Sequence, residues 1–154
     1  MKKIILLALA GVAMVGLGGC NVSDITGGES TVQVYTDNLY KGYRVSGYDS
    51  TIGKDTDLCF DGNNYVYGRG AEYFDGTYYT SGGDIVFRDA TDGGSYRLIT
   101  GGEIVKGYIY DFSGISNTIQ VETIVSISSV NDCKGMGATR RTASSLGLAG
   151  SIKH

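Results

Sequence analysis

The chain has 154 residues, 42% hydrophobic and 19% charged, with 13 Lys and Arg against 16 Asp and Glu and a formal net charge of −3. Its length corresponds to one domain, and its acidic balance argues against nucleic acid as a partner, because phosphate binding needs clustered cations. The only histidine is His154, at the chain end, which takes Ser-His-Asp, Cys-His and histidine-zinc chemistry out of the body of the chain.

In chain order, Met1-Lys2-Lys3 is a positive start, Ile4 to Val15 is uncharged and rich in Ile, Leu, Ala and Val, and Leu17-Gly18-Gly19-Cys20 closes the segment. These are the three parts of a signal peptide. The apolar run is shorter than the roughly 20 residues a spanning helix needs. Leu17-Gly18-Gly19-Cys20 resembles the lipobox of bacterial lipoproteins: a branched residue, two small ones, and a cysteine whose thiol carries diacylglycerol. The resemblance implies removal of residues 1–19 and lipidation of Cys20, an anchor worth about 0.8 kcal/mol per buried methylene. Asn21 follows where this family's retention rule has aspartate, which implies the outer membrane, with the domain on its periplasmic or outward side. The membrane, through the N-terminal lipid, is then the first expected partner. With Cys20 lipidated, Cys59 and Cys133 remain in an oxidising compartment and are expected to form one disulfide, two free thiols being the alternative. Closing a loop of about 75 residues is worth roughly 4 kcal/mol in the chain-entropy picture.

Residues 20–30 read as a polar tether. From Thr31 to Cys133 the pattern is that of a β domain, Val32, Val34 and Thr36 sharing one face with Thr31, Gln33 and Tyr35 on the other. Strands are predicted near 31–36, 40–47, 57–60, 64–68, 71–74, 77–80, 84–88, 95–100, 103–111 and 118–130. Asp61-Gly62, Asp75-Gly76 and Asp92-Gly93 each read as a hairpin turn. The fold expected is all-β, an antiparallel meander forming a small barrel or sandwich. The stretch Gly76-Thr77-Tyr78-Tyr79-Thr80-Ser81-Gly82-Gly83-Asp84-Ile85-Val86-Phe87 resembles a hairpin of lipocalin-like bacterial lipoproteins, which implies that the meander curls into a barrel. Lys134 to His154 carries four Lys and Arg and no acid, whereas all 16 acids precede it. This basic tail, 134–154, is expected to be disordered, with room for a short helix near Ala143 to Ala149.

No catalytic set, metal site or cofactor is expected. Asp61, Glu72, Asp75, Asp84 and Asp89 could supply an acid and a base for glycoside chemistry, but most fall at predicted turns, where Asp is the usual turn former. Asp55, Asp57 and Asp61 lack the spacing of a calcium loop. Twelve tyrosines without tryptophan or proline are the distinctive feature. Tyr65 and Tyr67 must share a face, while Tyr78 and Tyr79 must point opposite ways. These four are the expected members of an exposed binding face for an envelope protein or glycan. The alternative is that tyrosine fills the strands by propensity. Gly70-Ala71-Glu72-Tyr73-Phe74-Asp75-Gly76 is similar to a segment of lipoprotein inhibitors of C-type lysozyme, which would make the domain an enzyme inhibitor, although Arg69 stands where those proteins have serine. A carrier of a small apolar ligand is a further reading, one for which a small glycine-rich barrel leaves little room.

Overall fold

The computed structural model describes residues 30–135 and 137–146. The expected signal segment, the lipobox with Cys20, the tether up to residue 29 and the chain beyond Leu146 lie outside the described residues.

Two short strands, β1 (Ser30–Thr31) and β2 (Gln33–Tyr35), lead through a 3-10 helix (Thr36–Lys41) into the barrel. Its wall is β3 (Tyr43–Asp49), β4 (Lys54–Asp61), β5 (Asn64–Arg69), β6 (Glu72–Ser81), β7 (Asp84–Asp89), β8 (Ser95–Leu98), β10 (Ile109–Ser113) and β11 (Thr118–Ser126). Between them β9 (Glu103–Val105) leaves the wall to pair with β2. Each wall strand is antiparallel to the next, and β11 returns to β3, with Ile124 opposite Val45, so the meander closes as an eight-stranded barrel.

Two of the three Asp-Gly pairs turn the chain, with Gly62 and Gly93 at φ of 58° and 71°. The third does not. Asp75-Gly76 lies inside β6, one ten-residue strand where two were expected, and the reversal before it falls at residues 70–71. A Cβ on Gly76 would collide with the carbonyl oxygen of Arg88, so at this position glycine serves close strand approach and not a turn. Three other strand predictions are corrected in the same way. Residues 36 and 40–41, placed at the ends of two strands, belong to the 3-10 helix, 103–111 is broken at residues 106–108 into β9 and β10, and β11 stops at Ser126.

The barrel axis is filled with rings. Phe60, Tyr65, Tyr67, Phe74, Phe87, Tyr96 and Phe112 are buried, with centroids from 4.8 Å (Tyr65–Phe87) to 6.4 Å (Tyr67–Tyr96) apart. Offset and edge-on ring pairs at these distances are favourable beyond the area they bury. The Tyr96 hydroxyl donates to the Tyr65 hydroxyl at 3.0 Å, whereas the Tyr67 hydroxyl has no hydrogen-bond partner. Burial pushes all three phenols above their ordinary pKa. The upper end of the barrel is covered by Leu39 of the 3-10 helix and by Val34 and Ile104 of the β2–β9 pair.

After β11 the chain becomes a strap. It crosses the outer face of β4 and β5 in a second 3-10 helix (Val130–Cys133), where Cys133 is bonded to Cys59 with their Cα atoms 5.8 Å apart. The expected disulfide is therefore present. The bonded pair packs with Val66, Tyr73, Ile127 and Val130, and a Cβ on Gly68 would strike the Cys133 carbonyl oxygen, so the strap lies directly on the wall. Next, β12 (Thr139–Arg140) pairs in parallel with Glu72–Tyr73, the part of β6 that extends past β7. A third 3-10 helix (Ala143–Leu146) buries Ala143 and Leu146 in the main core at the lower end. The expectation of a disordered tail from Lys134 is thus corrected as far as Leu146. Lys134 and Arg140 pair with Asp75 at 3.6 and 2.6 Å, and Arg141 with Glu72 at 3.7 Å. The basic tail is held by the acidic body.

Candidate functional site

The four tyrosines singled out in the sequence separate into two settings. Tyr65 and Tyr67 do share a face, but it is the interior one, where they are 1% and 0% exposed. Tyr78 and Tyr79 do point opposite ways: Tyr78 is buried against Phe60, with ring centroids 5.0 Å apart, and Tyr79 is 57% exposed. The expected exposed cluster of three or more of these residues is not formed. The reason lies in β5, whose outer face is covered by the strap while its inner face is core, so neither side of that strand offers tyrosine to water.

Tyr79 instead meets a residue that the sequence placed at the start of a strand. Tyr40, 55% exposed, is the fifth residue of the 3-10 helix Thr36–Lys41, and its neighbour Leu39 is fully buried. One turn of tight helix therefore anchors itself by Leu39 and turns Tyr40 outward. The backbone N–H of Gly62 donates to the Tyr40 carbonyl (2.9 Å) and that of Tyr78 to the Asn63 carbonyl (2.9 Å), which fixes the β4–β5 turn between the helix and β6. A groove of about 270 Å³ lies among these elements. Tyr40, Tyr79, Asp37, Asn63, Thr80 and Tyr78 line it, with Thr36 and Gly62 completing the wall.

Its chemistry is mixed. The Thr80 hydroxyl donates to one Asp37 carboxylate oxygen at 3.3 Å, and the Lys41 ammonium stands 5.8 Å from the centre of the Tyr40 ring. The Asn63 amide can both donate and accept. The Tyr78 phenol is pushed up to about 12 by burial and then by the Asp61 carboxylate, so it is a neutral hydroxyl at physiological pH. Two exposed rings thus flank a carboxylate, an amide and hydroxyls. Below the groove the rim is tied together: Thr36 and Thr100 both donate to the Gly83 carbonyl, at 3.3 and 2.7 Å, and the Asp84 carboxylate accepts from the N–H groups of Thr100 and Gly101, each at 3.0 Å. Those backbone bonds hold Asp84 below the usual carboxylate range, helped by Arg97 at 3.4 Å.

Four of the five carboxylates considered for acid–base chemistry are engaged elsewhere, and the fifth, Asp61, is exposed at the end of β4. Glu72 pairs with Arg69 and Arg141, Asp75 with Lys134 and Arg140, and Asp84 with the rim. Asp89, 2% exposed, accepts from the backbone of Thr91, Asp92 and Ala143. A second groove, about 230 Å³, lies beside Asp75, Thr77, Val130 and Lys134, where the charges already neutralise one another. In the segment likened to lysozyme inhibitors only residues 70–71 are exposed; Glu72 and Tyr73 are edge-paired by β12.

The fold and rim define an eight-stranded antiparallel barrel, stapled by one disulfide and carrying a tyrosine-flanked groove at its upper end. No protein-family model, curated protein or solved structure matches the chain.

Proposed function

We propose that the chain is a lipid-anchored envelope protein whose barrel is a non-enzymatic binding module, and that the upper groove takes a glycan. The anchor rests on the lipobox-like Leu17-Gly18-Gly19-Cys20 and its signal-like flanks. Among the described residues no helix is long and apolar enough to cross a membrane, so attachment on this reading comes through the lipid on Cys20.

The observation that carries the ligand class is the pairing of exposed Tyr40 and Tyr79 around Asp37, Asn63 and Thr80. Sugar rings present C–H faces that pack on aromatic rings and hydroxyls that both donate and accept, which is the complement of this lining. A volume of about 270 Å³ stands at the lower end of small-ligand sites. The interior rings occupy the barrel axis, which favours the rim over an internal chamber for an apolar ligand.

The test is titration of envelope oligosaccharides, peptidoglycan fragments and lipopolysaccharide core sugars against the full chain, Tyr40→Ala and Tyr79→Ala. Each substitution should weaken binding by about 1–2 kcal/mol while leaving the melting temperature in place. Binding that survives both substitutions rules out the groove. A lysozyme assay on the same protein tests the inhibitor reading, and inhibition there would replace the glycan reading.

A further inference from the structure

The ion pairs among the described residues engage Asp57, Glu72, Asp75 and Asp84, and none reaches Asp37 or Asp61 at the upper groove. Asp37 lines the groove together with the exposed rings of Tyr40 and Tyr79. Its Oδ1 accepts from the Thr80 hydroxyl at 3.3 Å, and no hydrogen bond joins Oδ2 to another described residue. Asp61 ends β4 immediately before Gly62, which is also part of the lining. The Asp61 carboxylate adds to the effect of burial in raising the Tyr78 phenol, so the field at this end of the groove is negative.

Tyr78 is the buried part of the lining. Only 9% of it is exposed, its ring packs edge-on against Phe60, and its hydroxyl makes no hydrogen bond to another described residue. A hydroxyl so placed offers its lone pairs to whatever enters the groove. Lys41, on the same helix as Asp37, does not neutralise the carboxylates. Its ammonium stands 5.8 Å from the centre of the Tyr40 ring and makes no ion pair with Asp37 or Asp61. That position shows the Tyr40 ring accepting an ammonium from water.

We propose that the ligand of the upper groove carries a protonated primary amine, so that the glycan bound there is an amino sugar with its amine free and not N-acetylated; this rests on the glycan reading. An ammonium brings three N–H donors and no acceptor. The groove supplies the complement: Asp37 Oδ2 and the Tyr78 hydroxyl accept without a donor of their own, and the Tyr40 and Tyr79 rings present electron-rich faces. A neutral acetamide in the same place leaves the Asp37 carboxylate without a counter-charge. The sugar ring packs on tyrosine in either case, so the amine sets the preference and the rings set the basal affinity.

The probes are the chitin-type tetramers of glucosamine and of N-acetylglucosamine, titrated by calorimetry against the full chain at mildly acidic pH, where the amines are protonated and the carboxylates are still charged. The glucosamine tetramer should bind about tenfold more tightly, through one ion pair and one cation–π contact. Asp37→Asn keeps an oxygen for the Thr80 hydroxyl and should remove most of that preference while binding of the N-acetylated tetramer stays unchanged. Asp61→Asn, which leaves the helix untouched, should narrow the preference in the same direction. Asp55→Asn removes the same charge from the far, exposed end of β4 and should leave it as it was. A preference that survives Asp37→Asn, or that Asp55→Asn lowers equally, places the recognition in diffuse charge and overturns the proposal. Equal binding of the two tetramers, or tighter binding of the N-acetylated one, overturns the amine and leaves the glycan reading standing. If no oligosaccharide binds, the glycan reading falls and this proposal with it.

Discussion

The interior tyrosines Tyr65, Tyr67 and Tyr96 and the rim tyrosines Tyr40 and Tyr79 are the same side chain in two solvents. Inside, rings 4.8–6.4 Å apart are surrounded by other rings, and a phenol is there for its volume. On the rim, more than half of each ring faces water and its neighbours are Asp37, Asn63 and Thr80. The difference shows that tyrosine content alone does not define a binding surface. The strap decides it: by covering the outside of β5 with Cys133 and Val130, it removes the only other face on which Tyr65 and Tyr67 could have been displayed.

The largest expected effect that breaks this comparison is truncation of an interior ring. Tyr65→Ala and Tyr67→Ala should each destabilise the barrel by about 3–5 kcal/mol, as loss of a large buried aromatic does. Tyr40→Ala and Tyr79→Ala should stay within about 0.5 kcal/mol in the same urea titration. Equal losses in both sets would show that the rim rings are packing as well. The next effect concerns the strap. Replacing Cys59 and Cys133 by Ser releases a closure of 74 residues and should cost about 2–4 kcal/mol, read from the urea midpoint. Interior packing should survive it, so a retained near-ultraviolet tyrosine signal is expected at low denaturant.

Smaller substitutions sharpen the comparison within the interior. Tyr65→Phe removes the acceptor of the Tyr96 hydroxyl and should cost about 1 kcal/mol. Tyr67→Phe removes a hydroxyl that makes no well-aligned hydrogen bond, though the Arg69 side chain lies beside it, and should cost less than Tyr65→Phe. If the two variants lose stability equally, the hydroxyl pair contributes nothing specific.

Much of the fold was legible because strand alternation and turn chemistry act locally. The all-β class, the meander and the opposed faces of Tyr78 and Tyr79 follow from neighbours in sequence, and the disulfide partners from the cysteine count. What was not legible depends on distant chain. Asp75-Gly76 has the same local chemistry as Asp61-Gly62, yet contact with Arg88 makes it strand. The tail looked featureless because its order comes from Asp75, Glu72 and the open edge of β6, not from its own apolar pattern. Tyr40 was hidden in Thr36-Asp37-Asn38-Leu39-Tyr40-Lys41, where the useful signal was one apolar residue among turn formers before an aromatic. Only Tyr79 of the groove's two exposed rings was anticipated.

The smallest effect separates the two regions by pH. Asp84 is tied to the rim backbone at Thr100 and Gly101, and those bonds, with Arg97, depress its pKa in the folded protein. An unfolded aspartate titrates near about 3.9. A folded pKa below that value means that the unfolded chain takes up the proton first as pH falls. The stabilisation is therefore complete above about pH 5, and it is lost progressively as pH drops through about 4 toward the folded pKa. Interior ring packing carries no such dependence in acid, since the buried phenols are shifted upward. Asp84→Asn should thus lower the melting temperature at neutral pH and flatten its decline between about pH 5 and 3, with the two proteins converging at the acid end. An undiminished acid slope in the variant would mean that a carboxylate away from the rim sets the acid-range stability, and the first to test is Asp92, whose pKa is lowered by the Gly94 N–H and by Ser144 at the opposite end of the barrel.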